Sequence, residues 1–225
     1  MADAPQLVIN ETFSALDCKG YPIDIKIIQK HLCFSNGFFI EVGANDGVTY
    51  SNTFLLERHL GWRGLLIEPS PIGIQKCRAV RSPNNFYEQC ALVSDSGATP
   101  FVEGDFDGHL MSSIHGARLG RGTMAPARAR TLNEICAQHG IANIGIDFMS
   151  LDIEGRELDA LRGLDLAAAW APRFFLIEVY PAETEALNAL LFSHGYELLE
   201  AVTGYNLVDN PGWDGNHNDF LYSRR

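Results

Sequence analysis

Phe39-Ile40-Glu41-Val42-Gly43-Ala44-Asn45-Asp46-Gly47 decides the fold. Phe38 to Val42 is a short apolar run with one acid inside it, closed by Gly43, which reads as a buried strand. Gly43 and Gly47 allow a tight turn and a close approach of backbone to a ligand. Ser51 then caps a helix whose apolar side is Phe54, Leu55 and Leu56. The unit is therefore strand, glycine turn, helix. Leu65-Leu66-Ile67 reads as the next strand, and Glu68 ends it, 21 positions after Gly47. A carboxylate at that place can accept hydrogen bonds from both hydroxyls of a ribose.

Working outward, residues 23–32 carry apolar side chains at Ile23, Ile27, Ile28 and Leu32, the spacing of a helix face. Downstream, residues 71–81 read as a helix and 86–93 as a third strand, followed by the turn Ser94-Asp95-Ser96-Gly97. Residues 99–102 suggest an edge strand. Residues 104–127 are Gly-rich and irregular, an expected lid or acceptor loop. Thr131 caps a helix running to His139. Strands follow at 148–153 and 174–179, helices at 156–161 and 183–194, and final strands at 196–201 and 220–222. This alternation predicts an α/β fold, a Rossmann-like and mostly parallel sheet with helices on both faces. The last two strands leave no room for a helix between them, so they are expected to form an antiparallel hairpin. One domain is expected over residues 1–225, opening with a helical segment at about 1–36.

With 225 residues and 46% apolar content, one buried core is expected. No apolar stretch reaches the ~18 residues of a membrane span, and the first residues lack the pattern of a secretory signal. Five scattered cysteines without a C-x-x-C pair argue against a disulfide framework and a zinc site. The reading is a cytoplasmic protein, for which a homodimer is compatible. A net charge of −11 disfavours a nucleic-acid partner. Between Gly108 and Asn133, however, there is no acid, while Arg118, Arg121, Arg128 and Arg130 fall there. Arg118 and Arg121 are expected either to clamp a phosphate or carboxylate on an acceptor, or to belong to a solvated lid.

The glycine loop is not G-x-G-x-x-G. A dinucleotide loop must admit a pyrophosphate at a helix N-terminus. Here Glu41, Asp46 and Glu68 place carboxylates around the pocket, which would repel a pyrophosphate and attract a sulfonium and an ammonium. That chemistry favours S-adenosylmethionine (SAM) over NAD.

The resemblance now has its residues. The stretch 39–47, then Ser51-Asn52-Thr53, Leu56-Glu57, Gly61-Trp62-Arg63-Gly64 and Leu66-Ile67-Glu68-Pro69, resembles the FkbM family of SAM-dependent methyltransferases. It continues through Ala91-Leu92-Val93-Ser94-Asp95, Thr131-Leu132-Asn133 and Ser150-Leu151-Asp152-Ile153-Glu154-Gly155-Arg156-Glu157. The resemblance implies a seven-stranded methyltransferase sheet, SAM as cofactor, and O-methylation of a glycosyl or polyketide-like small acceptor. It would place the methionine part on the 41–47 loop, the ribose on Glu68 and the adenine near Leu92. The expected cofactor set is Glu41, Gly43, Ala44, Asn45, Asp46, Gly47, Ser51, Glu68, Pro69, Leu92 and Asp152.

SAM is already activated, so the protein must align the acceptor oxygen and take its proton. Asp152 and Glu154, at the carboxyl end of the fourth strand, are the leading candidates, and strand alternation would send both to one side. Glu154 has a plainer alternative as a cap of the next helix. His115 and His217 are further candidates, His115 as a base and His217 as an acceptor-binding group or a base. Asp152, Glu154 and Glu178 would also offer oxygen ligands to Mg²⁺, an option that is not favoured. Two other functions stay open: a protein or amine N-methyltransferase, and a non-catalytic SAM-binding module.

Overall fold

The computed structural model describes residues 11–106, 124–213 and 215–224. Among the described residues, ten strands and six α-helices follow one another as β1 (Phe38–Val42), α2 (Phe54–Leu60), β2 (Arg63–Ile67), α3 (Pro71–Val80), β3 (Phe86–Glu88), β4 (Ala91–Leu92), β5 (Phe101–Asp105), β6 (Met124–Arg130), α4 (Leu132–Gln138), β7 (Phe148–Leu151), α5 (Glu157–Arg162), β8 (Phe174–Val179), α6 (Thr184–Ser193), β9 (Tyr196–Ala201) and β10 (Asn218–Arg224), with α1 (Ile23–Ile27) before them all. The expected first helix is present, but its second half, Ile28–Leu32, widens into π-type turns.

Seven strands form the main sheet, in the order β3-β2-β1-β7-β8-β10-β9. β3, β2, β1, β7 and β8 pair in parallel. β10 is antiparallel to both β8 and β9. The expected terminal hairpin is thus real, but its second strand inserts between β8 and β9, so β10 alone runs against the rest.

Alternating side chains build two cores. Ile40, Val42, Leu65, Met149, Leu151 and Ile177 face Leu132, Ile135, Leu161, Leu187 and Leu191 of α4 to α6. Phe39, Leu66, Phe148 and Leu176 face Ile27, Leu55, Leu56, Ile74 and Cys77 of α1 to α3. Every residue of β1 is buried, Glu41 included. A strand covered on both faces reads as a continuous apolar run, which is why the pattern was legible.

Three expectations need correction. The third strand, expected over 86–93, is split: β3 closes the edge of the main sheet, while β4 pairs with β6 in a separate three-stranded sheet, order β4-β6-β5. Glu88 anchors the break, accepting from Arg130 Nη1 at 3.1 Å and lying 2.6 Å from His139 Nε2. Residues 104–127 are not irregular at their ends, because β5 and β6 pair antiparallel from Phe101↔Arg128 to Asp105↔Met124. The fourth strand stops at Leu151, so Asp152 and Glu154 lie in the following turn, with Glu154 at φ +60°. Strand alternation therefore does not orient them.

Candidate functional site

A cavity of about 290 Å³ opens at the carboxyl ends of the parallel strands, at the lower edge of the ~300–1,000 Å³ typical of small-molecule sites. The loop after β1 forms its floor. Glu68, Pro69, Cys90, Leu92 and Phe106 line the side toward β2 and the small sheet. Asp152, Glu154, Glu178, Tyr205, His217 and Asp219 line the side toward β8 and β10. This is the carboxyl-edge crevice of an open α/β sheet.

The floor is shaped by close packing. Gly43 has φ +82°, and a Cβ there would stand 1.9 Å from the carbonyl oxygen of Asp152. Only glycine lets the β1 and β7 loops meet. Glu68 is fixed just as tightly, at 6% exposure. Its Oε2 accepts from the Asn45 N–H and its Oε1 from the Ser70 N–H, each at 2.8 Å. A Cβ on Gly73 would press on Glu68 Cγ at 2.9 Å, so the residue against which the acid leans must be small. Burial raises the Glu68 carboxyl above its ordinary range, against the pull of the two N–H donors. Each oxygen keeps lone-pair capacity toward the cavity.

Glu41 lines the cavity but spends its carboxylate elsewhere. It accepts from the Ser51 hydroxyl at 2.8 Å, the Asn52 N–H at 3.0 Å and the Thr53 hydroxyl at 2.7 Å. Arg81 Nη1 donates to it at 3.1 Å. Arg81 is fully buried and also donates to Glu57, the Gly47 carbonyl and the Thr53 hydroxyl. Ser51 closes the network by accepting from the Phe54 N–H at 3.0 Å, so it caps α2 from just outside Thr53. Asp46 faces its own turn, accepting from the Val48 and Thr49 N–H groups and the Thr49 hydroxyl. Burial pushes its carboxyl up, but these donors prevail and hold it below the usual range. Gly43, Ala44, Asn45 and Ser51 border the cavity, whereas Asp46 and Gly47 shape the loop from behind.

The opposite side gathers acids. Glu154 accepts from the Tyr180 hydroxyl at 3.0 Å. Glu157, which the sequence reading did not single out, is buried beneath the turn and accepts from the Ile153 and Gly155 N–H groups. Burial, with Asp152 nearby, pushes its carboxyl up to about 8. Glu178 Oε1 stands 3.2 Å from His217 Nε2. Burial first, then Asp152, Glu154, Glu157 and Asp219, raises Glu178 far above the usual carboxylate range. Burial and Asp152 bring Asp219 up to about 7. Among the described residues, no group of three or more His, Cys, Asp or Glu side chains is arranged to hold a metal ion. His115, Arg118 and Arg121 lie outside the described residues.

A model of the methyltransferase FkbM domain matches residues 41–198, more than half of the chain. The chain belongs to the FkbM methyltransferase family. Membership makes it a methyltransferase and implies SAM as cofactor. No curated protein matches the FkbM chain. Among solved structures, human methyltransferase 10 domain containing protein is similar at 11% identity, over 90% of this chain and 82% of that one, with a TM-score of 0.49. The fibrillarin pre-rRNA processing protein of Methanococcus jannaschii is similar at 11% identity, over 85% and 67%, TM-score 0.47. A TehB-like SAM-dependent methyltransferase of Corynebacterium glutamicum is similar at 12% identity, over 90% and 88%, TM-score 0.43. Among the described residues, no helix is long and apolar enough to cross a membrane.

The residues of this FkbM domain fit an adenosyl sulfonium. Leu92, Phe106 and Pro69 offer an apolar slot on the Glu68 side, and Glu68 is a fixed acceptor pair. Asn52 Oδ1 borders the cavity, buried and without a hydrogen-bond partner among the described residues, ready for a donor. Asn52, Phe106, Tyr205 and Asp219 were missed as site residues. Asp219 had a readable signal: it precedes the apolar start of the last strand, at the sheet edge where ligands bind.

Proposed function

We propose that this protein transfers the methyl group of SAM to a hydroxyl of a small, sugar-like or natural-product-like acceptor. One observation carries the reading: a single cavity joins the fixed carboxylate of Glu68 on one side to Asp152, Glu154, Glu178 and Asp219 on the other.

Glu68 would hold the ribose hydroxyls, the loop from Gly43 to Asn45 the methionine part, and Leu92 the adenine face. The bound cofactor would supply a methyl group made electrophilic by a positive sulfur. Asp152 and Glu154 border the acceptor side and would take the hydroxyl proton as the oxygen attacks. Their charge also favours a hydroxyl over an amine as nucleophile. A carboxylate-rich chamber keeps an amine protonated, and an ammonium has no lone pair to attack with.

Calorimetry with SAM and with its demethylated product tests the cofactor assignment. Glu68→Ala should weaken SAM binding by about 2 kcal/mol, roughly thirtyfold, through loss of charge-assisted hydrogen bonds. Unchanged affinity would remove Glu68 from the site, and heat with NADH but none with SAM would end the reading. Mass spectrometry of products from labelled SAM then distinguishes an ether from a methylated amine.

A further inference from the structure

Glu178 and Asp219 are more than a deprotonation step needs. They are direct cross-strand partners in the antiparallel register of β8 and β10. Two acids at opposed positions must share protons or find a cation, because like charges there destabilise a sheet. Glu178 is 6% exposed and lines the cavity, yet its Oε2 has no hydrogen-bond partner among the described residues. A buried carboxylate oxygen without a donor costs free energy unless a ligand supplies one. Asp152 and Glu154 border the same side. So do the rings of Tyr205 and His217, whose centroids are 6.4 Å apart in an edge arrangement.

These features are the complement of one chemical group. His217 Nε2 stands 3.2 Å from Glu178 Oε1; a hydroxyl could satisfy Oε2 but would supply no positive charge to let the clustered acids ionise. An ammonium brings three donors and a positive charge, and the ring of Tyr205 favours it further. Resting on the methyl-transfer reading of this cavity, we infer that its β8–β10 side binds a protonated amine of the acceptor, which is an amino alcohol such as an amino sugar. The strand order separates this subsite from the cofactor's. Glu68 ends β2, whereas Glu178 and Asp219 lie beyond β7, on the far side of β1. In the reaction, the hydroxyl oxygen bonds to the methyl carbon and the carbon–sulfur bond breaks with its electron pair going to sulfur. The hydroxyl proton passes to Asp152 or Glu154, and the ammonium keeps its three protons as an anchor.

The test uses the full chain loaded with S-adenosylhomocysteine near neutral pH, titrated with glucosamine, N-acetylglucosamine and glucose and followed by ligand-observed NMR. Glucosamine should bind at least about tenfold more tightly than the two uncharged sugars, as charge-assisted contacts would give. Glu178→Gln should erase that preference while leaving S-adenosylhomocysteine affinity within about twofold. Asp219→Asn, on the facing strand, should weaken glucosamine in the same direction. Glucosamine binding no tighter than glucose, or not at all, overturns the inference. So does a Glu178→Gln variant that loses S-adenosylhomocysteine affinity while keeping the preference for glucosamine. A wild-type chain that binds no S-adenosylhomocysteine at all instead overturns the methyl-transfer reading beneath it.

Discussion

Arg81→Met is expected to lower the unfolding free energy by about 3–5 kcal/mol, the cost of leaving buried charge without its counter-ion. Arg81 is fully buried, as its side chain shows no exposure, while Glu41 and Glu57 are 5% and 12% exposed. Its Nε donates to Glu57 at 2.8 Å and its Nη1 to Glu41 at 3.1 Å. Methionine keeps much of the aliphatic volume but removes every donor. Ser51, Thr53 and the Asn52 N–H would still serve Glu41, and Asn85 would still serve Glu57. Those bonds soften the loss without balancing two charges. For a chain of this size the melting temperature should fall by roughly 10 °C. Denaturant unfolding measures the effect, and adding Glu41→Gln to Arg81→Met should return part of it, since removing both partners costs less than orphaning one. A single variant within about 1 kcal/mol of wild type would show that Arg81 does not hold the network. The loop from Gly43 to Thr53 hangs on this cation, so SAM affinity should fall together with stability.

The case of Glu41 shows what a sequence carries and what it hides. The stretch around it was legible because a strand buried on both faces needs unbroken apolar residues and must end in a turn. The acid inside that run stood out, and its charge was read as ligand-facing. Its counter-ion is 40 positions away at the end of α3, a distance that no periodicity encodes. Of the three acids that the sequence places around the pocket, Glu68 lines the cavity, whereas Glu41 is paired with Arg81 and Asp46 faces its own turn. The other acids of the cavity wall are Asp152, Glu154, Glu178 and Asp219, gathered from the ends of three strands. Asp219 and Glu178 are 41 residues apart and meet only because β10 inserts beside β8. The split of 86–93 was hidden for a related reason. Ala91 and Leu92 are as apolar as a main-sheet strand, and only their pairing with Ala129 and Arg130 moves them to the second sheet. Asp152 and Glu154 were rightly placed at the carboxyl edge but wrongly given strand geometry. A left-handed residue at 154 is rare for a glutamate, and the sequence shows it only through the neighbouring Gly155.

Glu178→Gln is expected to raise stability, and by more as the pH rises. The unfolded glutamate ionises near 4.5, while in the fold burial first, then the nearby Asp152, Glu154, Glu157 and Asp219, keeps the proton on far above that value. Between those two limits the folded state binds more protons than the unfolded state, so stability is fully present below about pH 4.5 and is lost as pH rises. The ideal slope is about 1.4 kcal/mol per pH unit for one proton, and sharing among coupled acids makes it smaller. Gln has the same shape and does not titrate. Melting curves from pH 5 to 8 should therefore separate, the variant gaining roughly 3 kcal/mol on wild type across that range. Parallel curves would mean that Glu178 is ionised in the folded state and already compensated there. A bound ammonium would let Glu178 ionise, and the cost measured in the free protein would become affinity for the acceptor.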